Sequence, residues 1–458
     1  MASSAKKIVI CGAGIAGVAA AYYLAVGADG HDIVLIEEAN PLSLTSDKST
    51  EGYRNWWVGP DQAMPDFMNR SIDLMEGIAR ATGNRIAMNR RGYLFATTRP
   101  DTAARFAALA ERAEALGSGP VRVHATASAT YRPSPEPGFE GAPTGADIIT
   151  DPSLIRRHFP QLAPDTLAVL HARRAGWLSA QQLGMVLLEG ARARGVKLLR
   201  AKVVDVRLAG GRVSAVELES QAGRQTLQAT ELVLAAGPMQ KGLAALLGID
   251  LPLLAERHQK ISFVDRHGAV PRTSPMLIWL DPQYLGFTAE ERSALEVEPE
   301  TRWLLQEFPS GVHARPEGGG ERGSLLLLFN THVEPTEVVF PLPEAPHYQE
   351  IALRGAARMV PALAAYVGTG ARAFLDGGYY IKTRENRPLI GPLPVEGAYI
   401  TGAYSGFGVM AGCAGGELLA CHVLGGALPS YAPAFQLTRY DDPGYRARLT
   451  TWGDGGQL

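Results

Sequence analysis

Residues 7–17 have the sequence KIVICGAGIAG. Lys7 to Cys11 is almost entirely apolar and largely β-branched, a pattern that predicts a buried parallel strand. The glycine cluster Gly12 to Gly17 follows directly, and Val18 to Leu24 then predicts a helix. Asp32 to Ile36 predicts a second strand. The stretch is about 30 residues long, which is the size of a right-handed βαβ unit.

The glycine cluster has the G-x-G-x-x-G spacing of a dinucleotide-binding turn. Gly12 permits the tight turn, Gly14 leaves room for a pyrophosphate, and Gly17 lets the helix pack against the sheet. Phosphate is also favoured at a helix N-terminus. A tight turn without a ligand is the alternative interpretation. If a dinucleotide binds, we expect it to contact the whole cluster, which is Gly12, Ala13, Gly14, Ile15, Ala16 and Gly17.

An acidic pair ends the second strand. Glu37 lies about 20 residues after the last glycine of the cluster, the position from which a carboxylate accepts hydrogen bonds from an adenosine ribose. Glu38 is its neighbour and takes that place if the register slips by one residue. The acidic pair therefore supports dinucleotide binding, without distinguishing NAD from FAD.

A second glycine-rich segment near the far end of the chain favours FAD. Tyr399 to Met410 combines a strand-like run with several glycines, and Gly415 to Val423 predicts a helix. An NAD enzyme usually completes its dinucleotide fold within one continuous stretch. A longer cofactor that spans both ends of the chain needs a second backbone cradle of this kind.

With this second segment the chain resembles the D-amino-acid oxidase superfamily of flavoenzymes, which includes glycine oxidase, sarcosine oxidase and dimethylglycine dehydrogenase. Four blocks match in order and cover essentially the whole chain. They are the N-terminal cluster with Glu37, the strand end at 234–238 (LAAGP), the segment at 378–391 (GYYIKTRENRPLIG) and the cradle at 402–416.

The resemblance implies an α/β fold with two discontinuous domains. One is a Rossmann-like FAD-binding domain of the glutathione-reductase type, and the other is an antiparallel-sheet substrate domain. Apolar β-rich runs within 257–340 fit the substrate domain. We expect the FAD-binding domain to comprise residues 1–85, 150–255 and 375–430, the substrate domain 86–149 and 256–374, and a C-terminal tail 431–458 to pack over the outside.

The resemblance also assigns cofactor contacts beyond the glycine cluster. In the relatives, one loop runs beside the pyrophosphate and the flavin ring, and one strand meets the adenine. The end of another strand also contacts the cofactor, and the cradle lies at the pyrimidine edge of the flavin. These residues are Thr45, Ser46, Lys48, Ser49, Val203, Val204, Ala235, Ala236, Gly237, Gly402, Gly406, Phe407, Gly408, Val409 and Met410. Sarcosine oxidase tethers its flavin through a cysteine where this chain has Gly378, so we expect non-covalent FAD.

The substrate side departs from the relatives. Those that oxidise unsubstituted amino acids grip the substrate carboxylate with an arginine where this chain has Tyr380. Sarcosine oxidase has a tyrosine there, together with a lysine at the position of Met410. Arg54 is the best replacement anchor, because it follows the flavin-side loop, and an arginine paired at the surface is the alternative. We therefore predict Tyr380 and Arg54 as catalytic residues on the substrate side of the flavin. Weaker candidates are Lys382 and Arg315, with His313.

The resemblance implies FAD-dependent oxidation of the C–N bond of an amine or amino acid, including secondary or N-methylated ones. Hydride passes from carbon to flavin N5, and the imine is then hydrolysed. Oxygen or an electron-transfer partner reoxidises the flavin. Two alternatives stay open: a flavin-dependent 2-hydroxy-acid or polyol dehydrogenase on the same fold, and a non-oxidising protein that uses FAD structurally.

Composition narrows the remaining classes. The chain has 458 residues, with 44 Lys plus Arg against 46 Asp plus Glu, a balance that argues against nucleic-acid binding. The three cysteines are too scattered for a disulfide framework or a thiolate site, and the histidines lack metal-ligand spacing, so we predict no metal. We also expect no transmembrane segment, because no apolar run approaches the roughly 18 residues needed to span a bilayer, and we expect a cytoplasmic location.

Overall fold

The computed structural model describes residues 5–27, 30–135, 138–318, 323–331, 334–369 and 372–450. Over these ranges the chain forms two large sheets, one mostly parallel and one mostly antiparallel. Helices pack on both of them. The predicted α/β fold class is confirmed.

The strands follow one another throughout the chain. In order they are β1 (Lys7–Cys11), β2 (Asp32–Glu37), β3 (Gly52–Arg54), β4 (Tyr93–Thr97), β5 (Val121–His124), β6 (Ala146–Ile149), β7 (Ala168–Ala172), β8 (Ala175–Trp177), β9 (Lys197–Arg200), β10 (Lys202–Ala209), β11 (Arg212–Ser220), β12 (Gly223–Gln228), β13 (Glu231–Leu234), β14 (Leu254–Val264), β15 (Met276–Trp279), β16 (Val312–Glu317), β17 (Ser324–Leu328), β18 (Phe374–Lys382), β19 (Leu389–Pro392) and β20 (Ala398–Gly402).

The helices are α1 (Ile15–Gly27), α2 (Ala63–Ala81), α3 (Pro100–Ala115), α4 (Pro152–His158), α5 (Ala180–Arg192), α6 (Gln240–Ala245), α7 (Ala289–Val297), α8 (Tyr348–Met359), α9 (Gly408–Leu424) and α10 (Pro443–Leu449). Short 3-10 turns lie at Gly237–Met239, Arg302–Leu305, Pro361–Tyr366, Ser405–Phe407, Ala432–Phe435 and Leu437–Asp441.

The first sheet has six strands in the order β19-β20-β13-β1-β2-β9. All neighbours are parallel except β19, which runs antiparallel at one edge. Strand β1 pairs with β2 in the register Ile8 to Ile33, and α1 connects the two. The predicted βαβ unit is therefore confirmed, and it lies in the middle of a Rossmann-like sheet.

Helices α1 and α9 pack against each other over this sheet. A β-carbon on Gly416 of α9 would lie 2.6 Å from the carbonyl carbon of Ala19 in α1, and one on Gly412 would lie 3.0 Å from Ile15. Both helices are largely buried, and the glycines of α9 let the two helices approach closely. The N-terminal and C-terminal glycine-rich segments are thus held side by side.

The segment Ser405–Leu424, which includes α9, corrects one expectation. By length and composition it could cross a membrane, and it is the one such helix among the described residues. The expectation that no apolar run reaches this length was therefore wrong. However, 72% of its apolar window is buried within the structure. The segment is buried because it packs against α1, β19 and β20. A helix in a protein core can therefore have the length and composition of a membrane span.

A second, nine-stranded sheet has the order β18-β14-β17-β16-β15-β4-β7-β6-β5. Most neighbours are antiparallel, but β15 with β4 and β5 with β6 are parallel pairs. The predicted antiparallel sheet is therefore mixed at these two places. A small antiparallel sheet has the order β10-β11-β12. Gly210 and Gly211 form the turn between β10 and β11, with φ values of +61° and +82°.

Strand pairing differs from the expected domain boundaries at two points. Strand β7 lies within 150–255, and all of β18 after its first residue lies within 375–430, both ranges assigned by sequence to the FAD-binding domain. Each instead pairs within the nine-stranded sheet, β7 with β4 and β6, and β18 with β14. By their backbone pairing, β7 and β18 therefore belong to the nine-stranded sheet.

The C-terminal tail is anchored by buried contacts rather than only covering the surface. The buried carboxylate of Glu385 accepts hydrogen bonds from Arg439 (2.8 Å), Tyr440 (2.7 Å) and Tyr445 (3.0 Å). Phe435 is fully buried in the core around α2. Residues 451–458 of the predicted tail lie outside the described residues.

The contact between α1 and α9 predicts that Gly416→Ala destabilises the fold. The added methyl group overlaps backbone atoms of Ala19, and overpacking of this kind costs about 1–3 kcal/mol. Urea unfolding followed by circular dichroism should show a lower midpoint. Gly77→Ala in α2 is the matched control, because nothing lies within 4 Å of its β-carbon position. It should leave the midpoint unchanged or raise it, since alanine stabilises a helix by about 1 kcal/mol relative to glycine.

Equal destabilisation by both substitutions would contradict the packing argument.

Candidate active site

A cavity of about 850 Å³ lies at the carboxyl ends of the parallel strands of the first sheet. Open α/β sheets bind ligands at this edge, and the volume is that of a cofactor site. Most residues predicted to contact a cofactor line this first cavity. They are Gly12, Gly14, Ile15, Ala16, Glu37, Glu38, Thr45, Ser46, Ser49, Val203, Val204, Ala235, Ala236, Gly237, Gly402, Gly406, Gly408 and Val409.

The glycine turn reaches this cavity because two of its residues cannot carry a side chain. Gly12 has a φ of +102°, and a β-carbon there would lie 2.5 Å from the carbonyl oxygen of Ala235. A β-carbon on Gly17 would lie 1.8 Å from the carbonyl oxygen of Gly12. The chain therefore leaves β1, turns against β13 and enters α1 within a space that only glycine permits.

Gly14 differs from these two glycines. The nearest atom to its β-carbon position is the hydroxyl oxygen of Ser46, at 3.3 Å, and Gly14 lines the cavity. The Ser46 hydroxyl in turn accepts a hydrogen bond from the backbone N–H of Ile15 at 2.9 Å. This glycine is thus not required for packing, and its missing side chain keeps the cavity open in front of the helix N-terminus.

Glu37 connects the turn to the second strand. Its carboxylate accepts hydrogen bonds from the backbone N–H groups of Ala13 (2.8 Å) and Ala39 (2.9 Å). Ala13 itself does not line the cavity. Glu37 is half-buried at the cavity wall, which leaves it in position for a ribose hydroxyl. The neighbouring Glu38 also lines the cavity, and it lies 3.6 Å from the ammonium of Lys202.

Several predicted cofactor residues lie elsewhere. Lys48 does not line the first cavity, because its ammonium pairs with Asp47 (2.7 Å) and Asp376 (3.4 Å). Gly17 packs inside the turn, as described above. Phe407 and Met410 line a second cavity instead of the first.

The second cavity is small, about 50 Å³, and shares Tyr380 and Gly406 with the first. It lies between the loop before β3, the nine-stranded sheet and the start of α9. Its lining residues are Thr50, Gly52, Arg54, Tyr93, Met276, His313, Leu328, Asn330, Tyr380, Gly406, Phe407 and Met410. None of these residues is a carboxylate, and Arg54 is the one permanent cation among them.

Arg54 reaches this cavity from the end of β3 and is almost fully buried, with 6% exposure. Its guanidinium lies over the ring of Trp57, 4.6 Å from the centroid, and 5.8 Å from that of Tyr93. Burial lowers the pKa of Arg54, and the Tyr93 hydroxyl acts in the opposite direction. The rings of Trp57 and Tyr93 thus form the aromatic surface against which the Arg54 guanidinium packs.

His313 faces the same cavity as a neutral base. Its Nδ1 lies 2.6 Å from the carbonyl oxygen of Gly311, which fixes that nitrogen as the donor. Burial lowers the pKa of His313 to about 4, and the charge of Arg54 contributes to the shift. The ring is therefore uncharged at neutral pH, and Nε2 is the acceptor.

Tyr380 forms the wall between the two cavities. Its ring stacks on His258 with centroids 3.7 Å apart and an interplanar angle of 16°. A β-carbon on Gly406 would lie 2.4 Å from the Tyr380 ring, so the glycine allows the tyrosine to lie flat against the cradle. Burial raises the pKa of Tyr380, which keeps its hydroxyl protonated.

Two predicted catalytic residues reach neither cavity. Lys382 is 1% exposed and lies 3.2 Å from the carboxylate of Glu256, which also contacts His258. Arg315 is 1% exposed and its guanidinium contacts Glu51 at 2.9 Å and Glu317 at 2.6 Å. Both cations are neutralised inside the protein, so the prediction that they contact substrate is corrected.

Sequence reasoning missed part of both linings. Tyr93 and Asn330 of the second cavity follow no motif, and Phe340 covers the first cavity from a loop of the other domain. The lining of the first cavity also includes Met239, Leu243 and Leu246, which follow the LAAGP block. The apolar helix after that block was the available signal. Within the described ranges, no group of acidic, histidine and cysteine residues could hold a metal ion.

The comparisons with known proteins agree with this geometry. A family model described as FAD dependent oxidoreductase (DAO) matches residues 7–422. Mitochondrial dimethylglycine dehydrogenase of Rattus norvegicus is 27% identical over 343 residues, covering 73% of this chain and 36% of the relative. The chain thus spans about a third of the length of the curated relatives it matches.

Solved structures share the fold. L-proline dehydrogenase from P. horikoshii superposes with a TM-score of 0.72 at 19% identity, covering 95% of this chain and 98% of that one. Glycine oxidase from Geobacillus kaustophilus gives 0.71 at 17% identity, with 95% and 99% coverage. At these identities the likeness concerns the architecture.

The first cavity fits FAD. It extends from the glycine turn to the cradle Gly402–Gly408, and Ala403 and Ser405 in that cradle have φ values of +56° and +50°. Such left-handed residues are uncommon outside glycine and cluster at ligand sites. Glu37 would hold the adenosine ribose, the helix N-terminus at Gly14 the pyrophosphate, and the cradle at the start of α9 the flavin ring.

The open side of Gly14 predicts that Gly14→Val strongly weakens FAD binding without unfolding the protein. The added methyl groups would occupy the cavity, with only the movable Ser46 hydroxyl near the β-carbon. Reconstitution of apoprotein with FAD, followed by flavin fluorescence, should show a loss of affinity of at least about 100-fold, equivalent to about 2.8 kcal/mol.

Gly77→Ala again provides the control and should bind FAD normally. Full FAD occupancy in a folded Gly14→Val protein would contradict the assignment of the glycine turn.

Proposed function

Because the chain belongs to the DAO family of FAD-dependent oxidoreductases, we propose that it oxidises the C–N bond of a small amino acid or amine in the second cavity. The observation that carries the proposal is the position of Arg54. It is a buried cation in a small cavity that shares Tyr380 and Gly406 with the cofactor cavity. A substrate held there lies next to the flavin end of that cavity.

FAD, when bound, accepts the hydride that leaves the substrate carbon. The substrate nitrogen loses a proton, and the resulting imine is hydrolysed to a carbonyl compound and an amine or ammonia. The protein's contribution is to orient the substrate and exclude water. Arg54, Tyr380 and His313 are the polar side chains of the cavity best suited to that task, because each presents a different hydrogen-bonding group.

The charge distribution supports a carboxylate-bearing substrate. Burial deprives the Arg54 guanidinium of water, and an anion that binds there restores a favourable environment. A carboxylate also matches the planar fork of the guanidinium. The relatives support the same class, since the names of the similar proteins include glycine oxidase, iminodiacetate oxidase and L-proline dehydrogenase.

The absence of a carboxylate from the lining of the second cavity implies that the amine reacts in its neutral form. An ammonium group there would face the Arg54 guanidinium without an opposing charge. The uncharged His313 ring can accept a hydrogen bond from an amine N–H, but its pKa of about 4 makes it a poor base. Secondary and N-methylated amino acids fit this description as well as primary ones.

A 2-hydroxy acid would also satisfy Arg54, so the assay must separate the two substrate classes. Anaerobic bleaching of the bound flavin by amino acids or amines, but not by 2-hydroxy acids, supports the proposal. Bleaching by hydroxy acids alone would replace it with the dehydrogenase alternative. Because oxygen is excluded, the result does not depend on whether oxygen or an electron-transfer partner is the natural acceptor.

We further propose a cytoplasmic location. All three cysteines, Cys11, Cys413 and Cys421, are free thiols, as a reducing compartment would keep them. Cell fractionation with the protein detected by immunoblot would test this, and recovery in a membrane fraction would contradict it.

Arg54→Ala should raise KM for an amino-acid substrate about 10- to 100-fold. A charge-assisted hydrogen bond to a carboxylate contributes about 1.5–3 kcal/mol, and its loss weakens substrate binding by that amount. Steady-state kinetics with an amino acid and with its decarboxylated amine should separate the two effects. The amine serves as the internal control, because it has no carboxylate to lose. An equal change for both substrates would contradict the anchoring role.

We expect kcat/KM to rise with pH until the substrate amine is deprotonated. His313, with a pKa of about 4, is already neutral above pH 6, and burial raises the pKa values of Tyr93 and Tyr380. These three groups therefore keep one protonation state near neutral pH. The rise of kcat/KM with pH should move to lower pH when a fluorinated analogue with a less basic amine replaces the substrate. An unchanged profile would indicate an enzyme group instead.

A further inference from the structure

We propose that Arg315 is a positioning residue that sets the backbone turn at Thr50–Glu51 and thereby holds Arg54 in the second cavity. The inference rests on the proposed function of Arg54 as the carboxylate anchor. Arg315 itself lines neither cavity, so it acts through the loop and not on the substrate.

The contacts of Arg315 converge on this turn from the nine-stranded sheet. Its Nε donates a hydrogen bond to the carbonyl oxygen of Thr50 at 2.9 Å, and its Nη2 donates to the carboxylate of Glu51 at 2.9 Å. Nη2 also lies 2.6 Å from Glu317 on the same strand. The guanidinium rests over the ring of Trp177, 5.3 Å from its centroid.

The turn needs such support because Glu51 adopts a left-handed conformation, with a φ of +60°. A residue with a β-carbon is uncommon there and keeps that conformation only where its surroundings impose it. Besides Arg315, the N–H of Ala180 donates to the Glu51 carboxylate at 2.9 Å, and the N–H of Leu178 donates to the Glu51 carbonyl at 3.2 Å. The turn is therefore fixed on both its carbonyl and its side-chain side.

A second cation secures the preceding residue. The ammonium of Lys260, on β14, donates to the carbonyl oxygen of Ser49 at 2.7 Å. Ser49 lines the first cavity, Thr50 lines the second, and β3 with Arg54 begins two residues later. Two cations from the substrate-domain sheet thus hold consecutive carbonyl groups at the point where the chain passes from one cavity to the other.

Loss of the Arg315 contacts should weaken the binding of a carboxylate, because Arg54 would no longer be held in the second cavity. Acetate serves as the probe, because it has a carboxylate and no oxidisable amine, and flavin absorbance reports its binding at equilibrium. In holoprotein, Arg315→Gln should raise the Kd of acetate about 10-fold, and Arg315→Lys, which keeps the charge but loses the fork, should lie between Arg315→Gln and the native protein. FAD affinity and the thermal midpoint are measured alongside.

A double-mutant cycle identifies the route of the effect. If Arg315 acts through Arg54, the Arg54→Ala/Arg315→Gln protein binds acetate within about twofold of Arg54→Ala alone. Additive losses would overturn the inference. Where Arg315→Gln fails to fold, Glu51→Gln removes the charge that faces Arg315 and should weaken acetate binding in the same direction. If Arg315→Gln and Glu51→Gln both fold and both leave the Kd of acetate unchanged, the inference is also overturned.

Arg354→Gln is the matched control. Arg354 on α8 also contacts two carboxylates, Glu291 and Glu350, and lies over an aromatic ring, that of Phe287. Its loss should affect stability and leave the Kd of acetate unchanged. The two proposals fail differently: an unaltered Kd in Arg54→Ala overturns the proposed anchor, whereas a weakened Arg54→Ala with an unaltered Arg315→Gln overturns only the positioning role.

Discussion

The backbone of Gly12 passes so close to that of Ala235 that no β-carbon fits between them, and the rest of the site depends on this contact. It directs the chain from β1 into α1 at the edge of the first cavity. The N–H groups of the following turn then fix two other segments, because Ala13 donates to Glu37 and Ile15 donates to Ser46. The second of these segments continues into the loop that ends at Arg54.

The Rossmann-like half of the molecule could be predicted because its signals are local. A G-x-G-x-x-G cluster between a buried strand and a helix, followed by an acid, specifies both the turn and its ligand within one short stretch. The C-terminal cradle was found in the same way. At its far end, Phe407 and Met410 line the second cavity rather than the first. The start of a helix presents successive residues to different sides, and a motif does not tell which side faces which cavity.

The substrate side was harder to predict because its outcome depends on long-range pairing. His313 and Arg315 lie two apart on β16, as Tyr380 and Lys382 do on β18, so each pair shares a face of the sheet. In each pair one residue lines a cavity and the other is buried against an acid. The buried residue of each pair is the one that meets an acid, Glu51 for Arg315 and Glu256 for Lys382, and both acids are distant in sequence. Tyr93 was missed for a related reason, since the β15–β4 pairing that brings it to the cavity leaves no trace in composition.

The two cavities differ in charge, and that difference fits their proposed division of labour. The first is lined by the acids Glu37 and Glu38 at its ribose end and by backbone N–H groups at its helix ends, a surface suited to a sugar and a pyrophosphate. The second has a desolvated guanidinium and no carboxylate in its lining. A small anion entering it relieves the cost of burying Arg54. On the proposed function, the flavin end of the first cavity would meet a substrate bound by its carboxylate, with its amine directed toward uncharged groups.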